Sequence, residues 1–201
     1  MIFKIGLTYD DVLLIPQKLE FSSRREIDLT TKISHDLEIK IPLISMGMDT
    51  VTDVKMAVEF SRLGAISFFP RFDLPKIEAE KISKIKKLKA RVIASIGLRD
   101  EYLKRALLCL KAGAEAITLD IAHAHSLKAL EAIAAFKNKF PKISLIAGTI
   151  ATYEGAMDLF KAGADCVRVG VGAGTICTTR IVAGSGVPQI TALLEAVKAK
   201  K

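Results

Sequence analysis

Tryptophan is absent from this sequence, and aromatic residues make up only 6% of its 201 positions. Single-stranded nucleic acid is held on stacked aromatic rings, so that function starts without support. Cysteine occurs three times, at Cys109, Cys166 and Cys177. Three widely spaced thiols do not make a disulfide framework and fit a reducing, cytoplasmic setting. No apolar run is long enough to span a bilayer. The opening MIFKIGLTYDD turns acidic before the apolar core of a signal peptide can form. What is present is a globular balance, 50% hydrophobic and 26% charged.

The formal charge of +8 raises nucleic acid a second time. The lysines gather in KISKIKKLKAR (81–91) and in the tail KAKK (198–201). The first segment sets isoleucines and a leucine at helical spacing, so its lysines read as the solvated face of an amphipathic helix. A nucleic-acid partner is therefore not expected. Small anionic ligands still gain from a positive field.

Short apolar runs alternate with longer helical patterns. The runs are PLISM (42–46), AISFF (65–69), RVIASI (91–96), AITLDIA (116–122), ISLIAG (143–148) and CVRVGVG (166–172). Their near-continuous hydrophobicity is that of parallel strands covered on both faces. Between and after them the pattern predicts helices over about 52–63, 73–88, 100–112, 126–139, 152–162 and 189–198. RLGAISF, KAGAEAITL and KAGADCVRV repeat one helix-ending signature, a glycine suited to the left-handed conformation followed at once by a strand. Gly64, Gly113 and Gly163 lie two strand–helix units apart, so one unit is about 25 residues. That unbroken rhythm predicts an α/β fold, a TIM (β/α)8-type barrel of which about six units are present. A doubly wound open sheet would want a GxGxxG loop after its first strand, and PLISMGMDT is not one. Residues 1–40 have weak periodicity and read as an N-terminal arm across the barrel's end, leaving 41–201 as the partial barrel.

In such a barrel, function gathers at the C-terminal ends of the strands. The richest of these is GVGAGTICTTRIVAGSGVPQ (170–189). Its glycines permit sharp turns that expose amides to phosphate and carbonyls to a monovalent cation. Cys177 is a candidate activated thiolate. Thr175, Thr178 and Thr179 offer hydroxyls to phosphate or water. Cys109, in LLCLK, reads as helix core, and Cys166, opening a strand, as packed. His123 and His125 with Asp120 are too sparse for a metal site and read as strand-end structure. Asp10 and Asp11 read as acceptors anchoring the arm. Arg71, after the second strand, reads equally as a cofactor contact or as a cap on the barrel mouth.

The loop GVGAGTICTTRIVAGSGVPQ resembles the catalytic-loop signature of the IMP dehydrogenase and GMP reductase family. LTYDDVLLIP is similar to the family's N-terminal signature, MDTVTD to the end of its first barrel strand, and LDIAHAHS to its nicotinamide-side segment. The resemblance runs collinearly from about Leu7 to the C-terminus, and RIVAGSGVPQ and DIAHAHS look most like bacterial IMP dehydrogenase.

The resemblance implies NAD-dependent oxidation of IMP to XMP, on the route to guanine nucleotides, through a covalent adduct on Cys177. It implies phosphate binding by Thr175, water positioning by Thr179 and a contact to the base from Met48, with Gly174 also at the substrate. It further implies a nicotinamide-riboside contact from Asp120. A potassium ion would be ligated by the carbonyls of Gly172, Gly174 and Cys177. GMP reductase is the rival enzyme, and a non-catalytic nucleotide-binding or assembly protein the rival of another class. Implied partners are further copies, a tetramer in the family, or a missing C-terminal half-barrel. The chain departs from the family pattern at Thr149, usually asparagine, and at Met46, commonly serine or alanine. It lacks the regulatory CBS pair after the second strand and the seventh and eighth strands.

Overall fold

A computed structural model of the chain describes residues 5–99 and 101–199. The expected helix start at 100, the residues before Ile5 and the last two lysines of the tail lie outside the described residues. An antiparallel hairpin, β1 (Thr31–Ser34) and β2 (Leu37–Ile39), precedes everything else. The six apolar runs then form β3 (Ile44–Ser45), β4 (Ile66–Phe69), β5 (Ile93–Ile96), β6 (Ala116–Asp120), β7 (Leu145–Ile150) and β8 (Cys166–Val169). They pair in chain order, β3-β4-β5-β6-β7-β8, and every pair is parallel. Helices α1 (Val54–Arg62), α2 (Pro75–Lys87), α3 (Tyr102–Ala112), α4 (Leu127–Lys139) and α5 (Tyr153–Lys161) cross back between strands. Two more follow β8, the short α6 (Thr179–Val182) and α7 (Gln189–Ala196). The strand–helix rhythm expected from the sequence is therefore present as six units of an incomplete TIM barrel.

Local chemistry sets the element ends. Asp53 caps α1 by accepting from the Met56 N–H at 2.8 Å, and Thr152 caps α5 through the Gly155 N–H at 3.0 Å. Pro75 starts α2 at a position where a missing N–H costs nothing. Gly64, Gly113 and Gly163 take φ of 87°, 108° and 112°, as their repeated signature requires.

Side-chain alternation splits the core into two layers. Facing the helices, Phe69, Ala94, Ile117, Leu119, Leu145 and Ile150 pack against residues such as Ile82, Ile85, Ile133 and Phe136. Facing the inside of the curl, Ile66, Phe68, Ile93, Ala116 and Ile146 meet Leu37 and Ile39 of the hairpin. The hairpin, which weak periodicity did not disclose, is thus the plug of the inner layer. Burying a Leu or Ile side chain contributes roughly 1.5–3 kcal/mol, so Leu37 and Ile39 are substantial anchors.

The rest of the N-terminal segment has a different character. Leu7 is tied to α7, its carbonyl accepting from Ile190 and Thr191 and its N–H donating to the Thr191 hydroxyl at 2.7 Å. Beyond that tie, Leu13 and Leu14 stand 95% and 96% exposed. Among the described residues the sheet ends without closing, since β3 and β8 each have one strand neighbour. No helix among the described residues is long and apolar enough to cross a membrane.

Candidate functional site

The chain leaves β8 through Gly170 and Gly172, whose φ values of 136° and 69° favour glycine. A side chain on Gly172 would meet the Ser185 carbonyl at 2.7 Å and the Gly186 backbone at 2.8 Å. Two stretches of the loop are therefore in backbone contact, which folds it back on itself and holds Cys177 at the rim. The Cys177 N–H donates to the Gly174 carbonyl at 3.1 Å, and α6 starts two residues later.

The three thiols differ sharply. Cys177 is half-exposed, and its pKa lies below the ordinary thiol value of 9.0. The chief cause is hydrogen bonding from the Thr179 hydroxyl and main chain, with smaller contributions from the main chain of Gly172 and Arg180. These donors favour the thiolate. Burial pushes Cys109 well above the thiol range, and the neighbouring Glu78 carboxylate adds to the shift. Burial likewise raises Cys166, which packs against the inner layer.

Cys177 opens onto a cavity of about 530 Å3 inside the curl of the sheet. Ile44 and Met46 from the first barrel strand and its turn line it together with Arg168 and Val169 from the last strand. The two free edges of the sheet therefore border one space. Gly172 and Gly174 line it with Cys177, whereas Thr175, Thr179, Met48 and Asp120 do not. Thr179 acts from behind the thiol, Thr175 is exposed, and Met46 rather than Met48 reaches the cavity. Thr149 also lines it and spends its hydroxyl on the Ala122 carbonyl at 2.8 Å.

Arg168 is the residue that sequence reasoning missed. An arginine inside CVRV was the available signal, since at that register its side chain enters the curl. Its guanidinium lies 5.2 Å from the centroid of the Phe68 ring and donates to Asp120 Oδ1 at 2.5 Å. Asp120, at the end of β6, is also approached by Arg71, whose Nε donates to the Asp120 carbonyl at 3.1 Å and lies 3.7 Å from Oδ2. Asp120 thus reaches the cavity through Arg168. Its Oδ2 accepts no hydrogen bond among the described residues and has only the Arg71 ion pair beside it.

Several other candidates have structural partners. His125 Nε2 is 3.1 Å from Asp158 Oδ2. Asp11 accepts from both the N–H and the hydroxyl of Thr8, at 2.6 and 2.8 Å, a local cap on the 3-10 turn Tyr9–Asp11. The carbonyls of Gly172, Gly174 and Cys177 belong to one tight loop, but that of Gly174 already accepts from Cys177. Three carbonyls are only part of a cation's oxygen shell, so the loop fits a potassium ion only when further ligands are brought to it.

Comparison with known proteins bears directly on this site. Residues 6–201 match the model of the IMP dehydrogenase / GMP reductase domain. The chain is 33% identical over 248 residues to inosine-5'-monophosphate dehydrogenase of Borreliella burgdorferi, covering 98% of this chain and 61% of that protein. It is 36% identical over 231 residues to the Cryptosporidium parvum enzyme of the same name, covering 94% and 57%. Against the Nitrosopumilus maritimus enzyme of that name it is 29% identical over 322 residues, covering 98% and 68%. The chain spans about two thirds or less of these relatives. All three alignments are longer than the chain, so each relative carries internal residues with no counterpart here, most of them in the last.

Proposed function

Because the chain belongs to the IMP dehydrogenase / GMP reductase family, we propose that its glycine loop is the nucleotide half of a site that oxidises IMP to XMP. The observation that carries this reading is Cys177, a half-exposed thiol with a lowered pKa, opening onto a cavity between the first and last strands. A soft thiolate adds to the electron-poor C2 of the hypoxanthine ring. The C2 hydrogen then leaves with its electron pair, and C2 stays bonded to Cys177. Water attacks C2, the C–S bond breaks, and XMP departs as the thiol takes a proton.

NAD is the cofactor in this reading and supplies the acceptor for the hydride. In this reading Asp120 Oδ2 holds a hydroxyl of its riboside, with the carboxylate oriented by Arg168 through Oδ1. Thr179 supports the thiolate and lies close enough in the chain to position the water. Thr175 contributes a phosphate donor, with loop amides beside it. Potassium would sit against the carbonyls of Gly172, Gly174 and Cys177, completed by ligands from elsewhere. GMP reductase would use the same cysteine, but the likeness of RIVAGSGVPQ and DIAHAHS to bacterial IMP dehydrogenase favours oxidation.

The full site requires more than these six units, supplied either by a complementary half-barrel or by further copies. The test is alkylation of Cys177, mapped by mass spectrometry, with and without IMP, in a form that includes the two remaining strand–helix units. Protection by IMP is the expected result. An alkylation rate unchanged at saturating IMP would overturn the substrate assignment.

A further inference from the structure

At the end of the sheet opposite Cys177, five short segments lead from the crossover helices into the next strands. They are residues 62–65, 86–92, 111–116, 137–144 and 161–166. Together they hold ten lysines and arginines against two acids, a surplus of eight. The whole chain has a formal charge of +8, so the remainder is neutral and the surplus is confined to this end.

Most of these cations are not spent on internal pairing. Arg91 meets Glu115, Lys137 meets Asp165, and Arg62 and Lys161 pair with acids one turn back on their own helices. Lys86, Lys87, Lys89, Lys111, Lys139 and Lys142 are exposed and have no ion-pair partner among the described residues. The C-terminal ends of α1 to α5 lie at this end too, but at about half a negative charge each they offset only part of the surplus. The stem of Lys86 covers Gly113, where a Cβ would meet its Cγ at 2.8 Å, so the chain of this lysine is held down while its ammonium faces water. Apolar side chains stand among the lysines. Leu63 follows α1 at 66% exposure, and Leu88 follows α2 at 57% exposure, between Lys87 and Lys89.

We propose that this end of the barrel docks on an anionic phospholipid surface, with the lysines at the headgroup phosphates and Leu63 and Leu88 entering the interface. Three observations select that partner. The remainder of the chain carries no net charge, so a second copy brings no matching acidic surplus. Lysine is depleted in protein–protein interfaces, whereas each lysine near an anionic leaflet adds to the attraction. A nucleic-acid backbone gives two protruding leucines nothing to bury against, and a bilayer interface does. The cavity beside Cys177 lies at the other end of the strands, so docking leaves it open. The proposal does not depend on the IMP reading.

The test is flotation of the chain with vesicles of phosphatidylcholine, alone or with about 30% phosphatidylserine. Flotation separates lipid-bound protein from self-associated protein. Binding is expected only to the anionic vesicles at about 50 mM salt, and it should be lost at about 0.5 M. Lys87→Gln, Lys89→Gln and Lys111→Gln combined should weaken it by at least about tenfold, since each lysine is worth several-fold at an anionic surface. Leu88→Asn should weaken it by about threefold or more. Lys55→Gln, Lys76→Gln and Lys104→Gln combined remove the same charge from the first turns of α1, α2 and α3, at the opposite end, and should leave binding nearly unchanged. All these side chains are exposed, and circular dichroism checks that each variant keeps the fold. Three results would overturn the proposal. One is flotation with anionic vesicles no greater than with phosphatidylcholine alone. Another is equal loss in the two triple variants, which makes net charge and not this face responsible. The third is tighter binding to duplex DNA than to vesicles at equal phosphate concentration with no effect of Leu88→Asn, which assigns the surface to nucleic acid.

Discussion

Two side chains illustrate how far surroundings move a titration. At Cys177, donors from Thr179 stabilise the thiolate. Thr179→Ala should therefore return the thiol toward 9.0. Alkylation at neutral pH should slow, because less of the thiol is then thiolate. A rate–pH profile identical to the parent's would mean that Thr179 does not support the thiolate. Glu78 goes the other way. It is fully buried between α2 and α3, and burial lifts its carboxyl from 4.5 to about 7 despite the adjacent Arg105. The folded protein therefore holds this proton more tightly than the unfolded chain. Its contribution to stability is complete below pH 4.5 and is lost as the pH climbs to about 7. The loss is on the order of 3 kcal/mol. Urea midpoints between pH 5 and 8 should fall in the parent and change less in Glu78→Gln. Equal slopes would show that Glu78 is not the group responsible.

Elements differed in how legible they were. The six parallel strands stood out because the inner four are covered on both faces and the edge strands β3 and β8 are still partly covered, which writes continuous apolar runs into the sequence. The crossover helices were marked by 3.6-residue spacing and by the glycines after Leu63, Ala112 and Ala162. The hairpin was hidden because only Leu37, Ile39 and part of β1 are buried, too few positions for a period to show. Cys177 and its glycines were readable as chemistry, whereas Arg168 was masked by its apolar neighbours. Its function depends on a partner, Asp120, 48 residues away. At the turn after β3, Met46 lines the cavity and Met48 does not. The hairpin also yields an energetic expectation. Leu37→Ala should cost about 2–5 kcal/mol, since it opens a hole at the base of the inner layer. A thermal midpoint that does not move would show that the hairpin is not a plug.

At the scale of the whole molecule, the two edge strands, each paired on one side only, dominate. Free edges template pairing with other chains, and exposed Leu13 and Leu14 add apolar surface. Sedimentation velocity should show size rising with concentration. A single monomeric species throughout would contradict this. The glycine loop also faces a cavity whose first and last walls are not joined. In the proposed reading the nucleotide phosphate needs donors beyond this loop. Losing one transition-state donor costs on the order of a hundredfold, and several are involved here. The chain of 201 residues should give no steady rise in NADH absorbance with IMP and NAD. Steady turnover would mean that another surface supplies the missing groups.

The chain-order pairing of the sheet also sets a timetable for synthesis. Each strand meets its partner within one unit of leaving the ribosome, so the sheet can assemble progressively as the chain lengthens. The hairpin cannot follow that schedule. It is made first, but the wall it seals includes Ile146 and Cys166, which arrive among the last. The prediction is that its docking is a late event in folding. Pulse-labelled hydrogen exchange would reveal the order, and protection at Leu37–Ile39 before protection in β8 would refute it.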